Sequence, residues 1–97
     1  MRQPADWMTP DDDRILEYLE SEGAQSARNI SYDERIRLSR RYVNVRLTKL
    51  SDTGLVRDVR NGRYKITQVG KLYLDGGLSA REIEVDEPAQ SGQNAYM

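Results

Sequence analysis

Two runs decide the fold: Ser39-Arg40-Arg41-Tyr42-Val43-Asn44-Val45-Arg46-Leu47-Thr48-Lys49-Leu50 and, beyond Gly54, Leu55-Val56-Arg57-Asp58-Val59-Arg60-Asn61-Gly62-Arg63-Tyr64-Lys65-Ile66-Thr67. In the first, Val43, Leu47 and Leu50 recur at i, i+4 and i+7, the period of one helix face, and Ser39 is a natural cap. In the second the period changes. Two β-leaning runs flank Asn61-Gly62, and Asn-Gly is the strongest short-range hairpin signal because both turn residues need positive φ. A helix that stops at Gly54 and feeds directly into a hairpin is therefore expected.

Working outward, Thr9-Pro10-Asp11-Asp12 reads as a helix start. Thr9 can cap, Pro10 suits the first helical position, and the Asp residues sit at the positive end of the helix dipole. Ile15, Leu16 and Leu19 then share a face and Gly23 ends the helix, giving about residues 10–22, with Trp7 and Met8 lying back over the core. Ser26 caps a second, shorter helix from Ala27 to about Arg35 with Ile30 inward, followed by a turn at Ile36 to Leu38. Asp33 and Glu34 fall where that helix would want apolar residues. Downstream, Thr67 caps a last helix over about 68–75, with Val69, Leu72 and Tyr73 inward and Gly76-Gly77 at its end. Ser79 and Glu82 have the spacing of a capping box for one more turn. The expected organisation is an N-terminal arm (1–8), one domain (9–78), and a short helical turn leading into an acidic tail (79–97), disordered by composition from about Val85.

The chain has 97 residues, 37% hydrophobic and 32% charged, which is room for a single thin-cored domain. It holds no Cys and no His, which removes disulfides, thiolate or imidazole metal sites and the usual nucleophile–base pairs. An enzyme is not expected, and no cofactor is implied. No apolar run has the length of a membrane span and no secretory segment follows Met1, so a reduced, cytoplasmic setting is the expectation. The net charge of −1 hides an uneven distribution. Residues 1–25 carry two Arg against seven acids (−5), residues 26–65 carry eleven Arg or Lys against four (+7), and residues 66–97 carry two against five (−3). Twelve of the fifteen basic residues are Arg, the side chain suited to bidentate phosphate and guanine contacts.

Helix, helix, helix, hairpin, helix is the order of a winged helix-turn-helix: a mainly α fold with a three-helix core, a two-stranded wing and a C-terminal helix. In that fold the third helix enters the DNA major groove. With Val43, Leu47 and Leu50 against the core, about 100° per residue points Arg41, Asn44, Val45, Thr48 and Lys49 outward or to the flank. Asn44 suits an adenine edge, Arg41 a guanine or phosphate, and Val45 or the Thr48 methyl a thymine methyl. Arg28, Arg37, Ser39, Arg40 and Tyr42 are placed for phosphate contact around the helix start, and Arg60-Asn61-Gly62-Arg63 sets two Arg beside a tight turn for backbone or minor-groove contact.

Met1-Arg2-Gln3-Pro4-Ala5-Asp6-Trp7-Met8 and Asp12-Asp13-Arg14-Ile15-Leu16-Glu17 also resemble the opening of haloarchaeal winged-helix proteins similar to the phage phiH repressor, within the MarR/ArsR-like superfamily. The likeness continues through Tyr42-Val43, the Leu50 to Leu55 stretch with Gly54, Gly62-Arg63-Tyr64, Ile66-Thr67, Gly70 and Tyr73-Leu74, covering about residues 1–78. The resemblance implies a transcriptional regulator of repressor type, with the third helix and the wing carrying DNA contact. In a cytoplasm rich in KCl, phosphate contacts weaken and long-range steering is nearly absent. Binding would then rest on close contacts and paired half-sites, so a homodimer is expected, built from the N-terminal arm, the first helix and the C-terminal helix.

Other readings of the same residues were open. Asp11-Asp12-Asp13 could hold Mg²⁺, but a helix start accounts for it. Six Tyr without Phe could stack on single-stranded bases; Tyr64 and Tyr73 have core spacing, leaving Tyr32, Tyr42 and Tyr18 for that role. The principal alternative is a winged helix that binds acidic proteins through Arg40, Arg41, Arg60 and Arg63 without specific DNA readout.

Overall fold

The fold has four α-helices, α1 (Pro10–Glu22), α2 (Ala27–Tyr32), α3 (Arg40–Asp52) and α4 (Gln68–Asp75), and three short strands, β1 (Gln25–Ser26), β2 (Val56–Arg60) and β3 (Arg63–Ile66), among the described residues. The computed structural model describes residues 1–83, so the tail expected from Val85 lies outside the described residues. In chain order the elements run α1-β1-α2-α3-β2-β3-α4, with a 3-10 turn at Ala80–Glu82. This is the winged helix-turn-helix expected from the sequence, with one addition. β1 pairs antiparallel with β3, Gln25 opposite Tyr64 and Ser26 opposite Arg63, so the wing hairpin is two strands of a three-stranded sheet in the order β1-β3-β2. Two residues are too few to show a period, which is why the strand was not legible.

The core is one cluster. Ile15, Leu16 and Leu19 of α1, Ile30 of α2, Val43, Leu47 and Leu50 of α3, Leu55 and Val56 at the wing base, and Tyr73 of α4 are all essentially out of solvent. Trp7 and Met8 lie half-buried against it, as expected of the arm. Two inward assignments change. On α4, Leu74 is buried and Leu72 is 39% exposed, because Tyr73 and Leu74 rather than Leu72 turn toward α1. Tyr18 is not free for stacking: it is 8% exposed and the Arg35 guanidinium lies 4.9 Å above its ring.

The three consecutive acids at the start of α1 each engage a different partner. Asp11 pairs with Arg14 one turn on, at 3.3 Å. Asp13 accepts from the Tyr73 hydroxyl at 2.6 Å, tying α4 to α1, and lies 3.5 Å from Arg2 of the arm. Burial, and then this bond to Asp13, raise the Tyr73 phenol above its ordinary pKa. Asp12 is fully buried. Its Oδ2 accepts from the Thr9 backbone N–H (2.9 Å) and from Arg46 Nη2 (2.7 Å), while Oδ1 accepts from Arg46 Nε (2.8 Å). One carboxylate thus closes the first turn of α1 and holds α3. Among the described residues no cluster of carboxylates has the arrangement of a metal site.

Two other joints set the wing and the arm. Gly70 lies where α4 crosses the wing base: a Cβ there would meet the Leu55 carbonyl and come within 2.6 Å of Ile66 Cγ1, so only glycine allows the approach. The arm runs beside the segment after α4, with Ala80 N–H donating to Gln3 O at 2.9 Å and Arg2 Nε to Leu74 O at 2.9 Å. At the following turn the Ser79 hydroxyl accepts from Arg81 N–H, so Ser79 caps, but without the expected partner Glu82.

Removing one member of a buried ion pair leaves the other charge without compensation. Arg46→Met should therefore destabilise the fold by about 3 kcal/mol, lowering the midpoint of thermal unfolding by ~10 °C or more for a chain of this size. Arg46→Lys should recover only part of this, since an ammonium cannot make both parallel bonds. A melting curve for Arg46→Met that overlays the wild type would show that the pair contributes nothing.

Candidate nucleic-acid interface

The α2–α3 turn begins earlier than the sequence predicts. α2 ends at Tyr32, and the Asp33 side chain takes over: Oδ1 accepts from the Arg35 backbone N–H and Nε, both at 2.8 Å, and Oδ2 from Nη2 at 2.9 Å. The charged residues that fitted a helix poorly are thus the turn itself. Arg35 Nη2 also reaches Glu22 of α1 at 3.1 Å, and Arg14 Nη2 donates to the carbonyls of Arg35 and Ile36. Ile36 inserts into the core at 2% exposure, and Arg37 swings out at φ 52°. The turn that aims α3 is therefore bolted to α1 from outside and below.

From this turn Ser39 caps α3 as expected, its hydroxyl accepting from Tyr42 N–H at 3.1 Å. With Val43, Leu47 and Leu50 at zero exposure, Arg41, Asn44, Val45 and Thr48 stand together on the solvent side. Val45 is 55% exposed, an apolar group in the middle of a polar face that packing does not require. Thr48 donates its hydroxyl to Asn44 O at 3.0 Å, so its methyl is the group left for an outside contact. Arg40 is exposed at the helix start and Tyr42 is half-buried on the flank. Lys49, grouped by sequence with the outward side chains, is half-buried and turns toward the arm, its ammonium 5.5 Å from the Trp7 ring.

The arginines sort into two sets. Arg2, Arg14, Arg35 and Arg46 are in ion pairs that hold the fold together. Arg28, Arg37, Arg40, Arg41, Arg57, Arg60, Arg63 and Arg81 are exposed and form no ion pair among the described residues. Arg28 sits 5.6 Å over the ring of Tyr32, which is itself 75% exposed beside it on α2. At the wing tip, Asn61 and Gly62 have φ of 57° and 72°, the positive values of the expected turn. Arg60 and Arg63 lie opposite each other across it, after a register shift between Asp58 and Arg60.

Arg46 was assigned no role from sequence. Its position carries the signal: three residues after Val43 and four before Leu50, it belongs to the buried stripe, where a charge needs a partner. Asp12 raises its pKa above the ordinary guanidinium value, chiefly through the side-chain hydrogen bond.

A recognition-type helix beside a two-stranded wing is the geometry of a known group, and the chain matches the winged helix-turn-helix phage repressor family over residues 1–86. It belongs to that family. It is similar to the repressor protein of Halobacterium phage phiH, with 37% identity over 93 residues that cover 87% of this chain and 98% of that protein. It is also similar to the crystal structure of the PhiH1 repressor-like protein from Haloarcula marismortui. There the TM-score is 0.83 and the identity 41%, over 89% of this chain and 98% of that one. No helix among the described residues is long and apolar enough to cross a membrane.

The α2–α3 turn gives a pH test. Hydrogen bonds from the Arg35 side chain, then from its backbone N–H, hold the Asp33 carboxyl at about 2 against an ordinary 3.8. A depressed carboxylate pKa contributes stability above the ordinary value that is lost as pH falls through the folded one. NMR titration should find the Asp33 midpoint near 2, and Arg35→Gln should return it toward 3.8. A wild-type midpoint in the ordinary range would mean that the Asp33–Arg35 turn is not formed.

Proposed function

We propose that this protein is a sequence-specific double-stranded-DNA-binding repressor that acts as a homodimer in the cytoplasm. α3 lies in the major groove and the wing on adjacent backbone. The observation that carries this is the exposed face Arg41-Asn44-Val45-Thr48, set opposite a fully buried face on one rigid helix. Bidentate donors and acceptors next to methyl groups are the set that tells base pairs apart in the major groove. Arg28, Arg37, Ser39, Arg40, Tyr42, Arg60, Asn61 and Arg63 surround this face and hold phosphates, fixing register without reading sequence. Lys49 acts from the flank. Family membership supports the regulatory role, and occupancy of a promoter site is sufficient to repress.

The dimer joins through the arm, α1 and α4. Met1 and Leu72 are exposed apolar residues on the arm and α4, and the Met1 backbone lies beside Gly76 just after that helix, so the two side chains stand at one edge that a second copy would cover. Two half-sites also multiply close contacts, which matters where salt screens long-range attraction to roughly 3 Å at 1 M.

The test is fluorescence anisotropy with duplexes selected from a random library, together with sedimentation of the free protein. Asn44→Ala and Arg41→Ala should each relax preference at one base pair by about 1–3 kcal/mol, whereas Arg40→Ala should weaken all duplexes alike. If neither Asn44→Ala nor Arg41→Ala changes the ranking of sequences, α3 does not read bases. A protein that binds no duplex and instead captures acidic polypeptides would replace the repressor with the protein-binding alternative.

A further inference from the structure

The wing carries more positive charge than its tip uses. β3 is regular, so Arg63 and Lys65, two residues apart, share one face while Ile66 points into the core. Arg57 lies directly opposite Lys65, and Arg60 opposite Arg63. The outer face of the hairpin therefore holds two cross-strand pairs of like charge. Such pairs destabilise a sheet, and all four side chains are exposed without an ion pair among the described residues. Asp58, opposite Tyr64, belongs to the other face; its carboxylate accepts from the Arg60 backbone N–H at 3.1 Å and forms no ion pair with any of the four cations. The stripe continues off the sheet. Lys71, exposed one turn into α4, joins Arg57, Lys65, Thr67 and Gln68 around a cleft of about 330 Å³.

We propose that Arg57, Lys65 and Lys71 form a second phosphate-binding patch at the stem of the wing. It grips DNA backbone outside the base pairs that α3 faces. This rests on the duplex-binding reading above and adds a contact that neither α3 nor the wing tip makes. A fold gains nothing from placing like charges opposite one another, whereas a polyanion laid along the hairpin neutralises both pairs at once. Continuity with Arg60 and Arg63 makes that polyanion the same backbone the tip touches. The patch adds affinity and salt dependence without sequence preference, since phosphates carry no base identity.

The experiment compares the full chain with an R57Q/K65Q/K71Q variant. Each substitution is at an exposed position, and relief of the Arg57–Lys65 repulsion should leave thermal stability equal or higher. Binding to a library-selected duplex and to an unrelated duplex is measured by anisotropy across a KCl series. Each phosphate contact contributes about 0.9 to the slope of log K against log salt, so the variant's slope should be shallower by roughly 2 to 3 for each subunit on the duplex, or about 5 for the dimer. The ratio of selected to unrelated affinity should not change. Trimming the selected duplex at its flanks should flatten the wild-type slope and leave the variant's unaltered. A variant slope equal to the wild type's overturns the patch while leaving α3 readout standing. A wild-type chain that binds no duplex at any salt overturns the repressor reading and the patch with it.

Discussion

The position of α3 depends on one buried carboxylate. Asp12 has no exposure to solvent, and its two oxygens accept three hydrogen bonds, from the Thr9 backbone and from two guanidinium nitrogens of Arg46. A charge so placed is tolerated only when geometry satisfies it, because taking an ion out of water costs several kcal/mol before pairing offsets it. That requirement makes the pair a fixture with few alternative arrangements. If Arg46 must point at Asp12, the rotation of α3 about its own axis is set. The residues nearest half a turn away, Arg41, Asn44 and Thr48, must then face solvent. Apolar packing of Val43, Leu47 and Leu50 gives most of the burial energy, about 1.5–3 kcal/mol for each side chain. Packing alone tolerates some slippage, and a bidentate ion pair tolerates much less.

The neighbouring acids extend the same logic to other elements. Asp13 holds Tyr73 and approaches Arg2, and Arg2 in turn bonds Leu74 O, so α4 and the arm are tied to the turn of α1 that grips α3. Trp7 lies between Arg46 and Lys49, with 5.9 Å and 5.5 Å from the two cations to its ring. The arm and α4 are thus connected to α3, whose outward face is the proposed reading surface, through a few side chains. Displacement of the arm would be felt at Arg46 within one residue.

Much of the fold could be read from the sequence because its signals are local. The side-chain caps at Ser26, Ser39 and Thr67, the helix start at Thr9 (whose hydroxyl makes no cap bond), the i, i+4, i+7 stripe of α3 and the Asn61-Gly62 turn each depend on residues within one helical turn or one hairpin. What could not be read depends on partners far along the chain. β1 exists only because β3 accepts it, some 38 residues later. Leu72 and Leu74 are equally apolar, and only contact with α1 decides which is buried. Of the candidate site, the outward set on α3 followed from periodicity, since a core stripe determines its opposite face. Lys49 is the flank member of that set. It sits between the two faces, where helical phase decides nothing and the ring of Trp7, 42 positions away, draws it aside.

The division among the arginines bears on how such a protein can recognise DNA where salt is high. Four arginines are consumed by ion pairs that build the scaffold, and two of these are short: Arg46 meets Asp12 at 2.7 Å and Arg2 meets Glu17 at 2.6 Å. The Arg46–Asp12 pair is also shielded from solvent, so ions screen it less than an exposed one. The arginines between Arg28 and Arg63 that stay unpaired are exposed, and their pull on phosphate falls steeply with ionic strength. On the proposed reading, selectivity in such a medium rests most on groups whose energies salt barely touches: the Asn44 amide, the Val45 side chain and the Thr48 methyl. Charge placed on the wing can raise affinity for any duplex, but it cannot rank one sequence above another. The low charge at the centre of the α3 face and the high charge on the wing therefore separate the two tasks. A scaffold that fixes helix rotation through a buried ion pair lets the uncharged contacts keep their register as screening removes the rest.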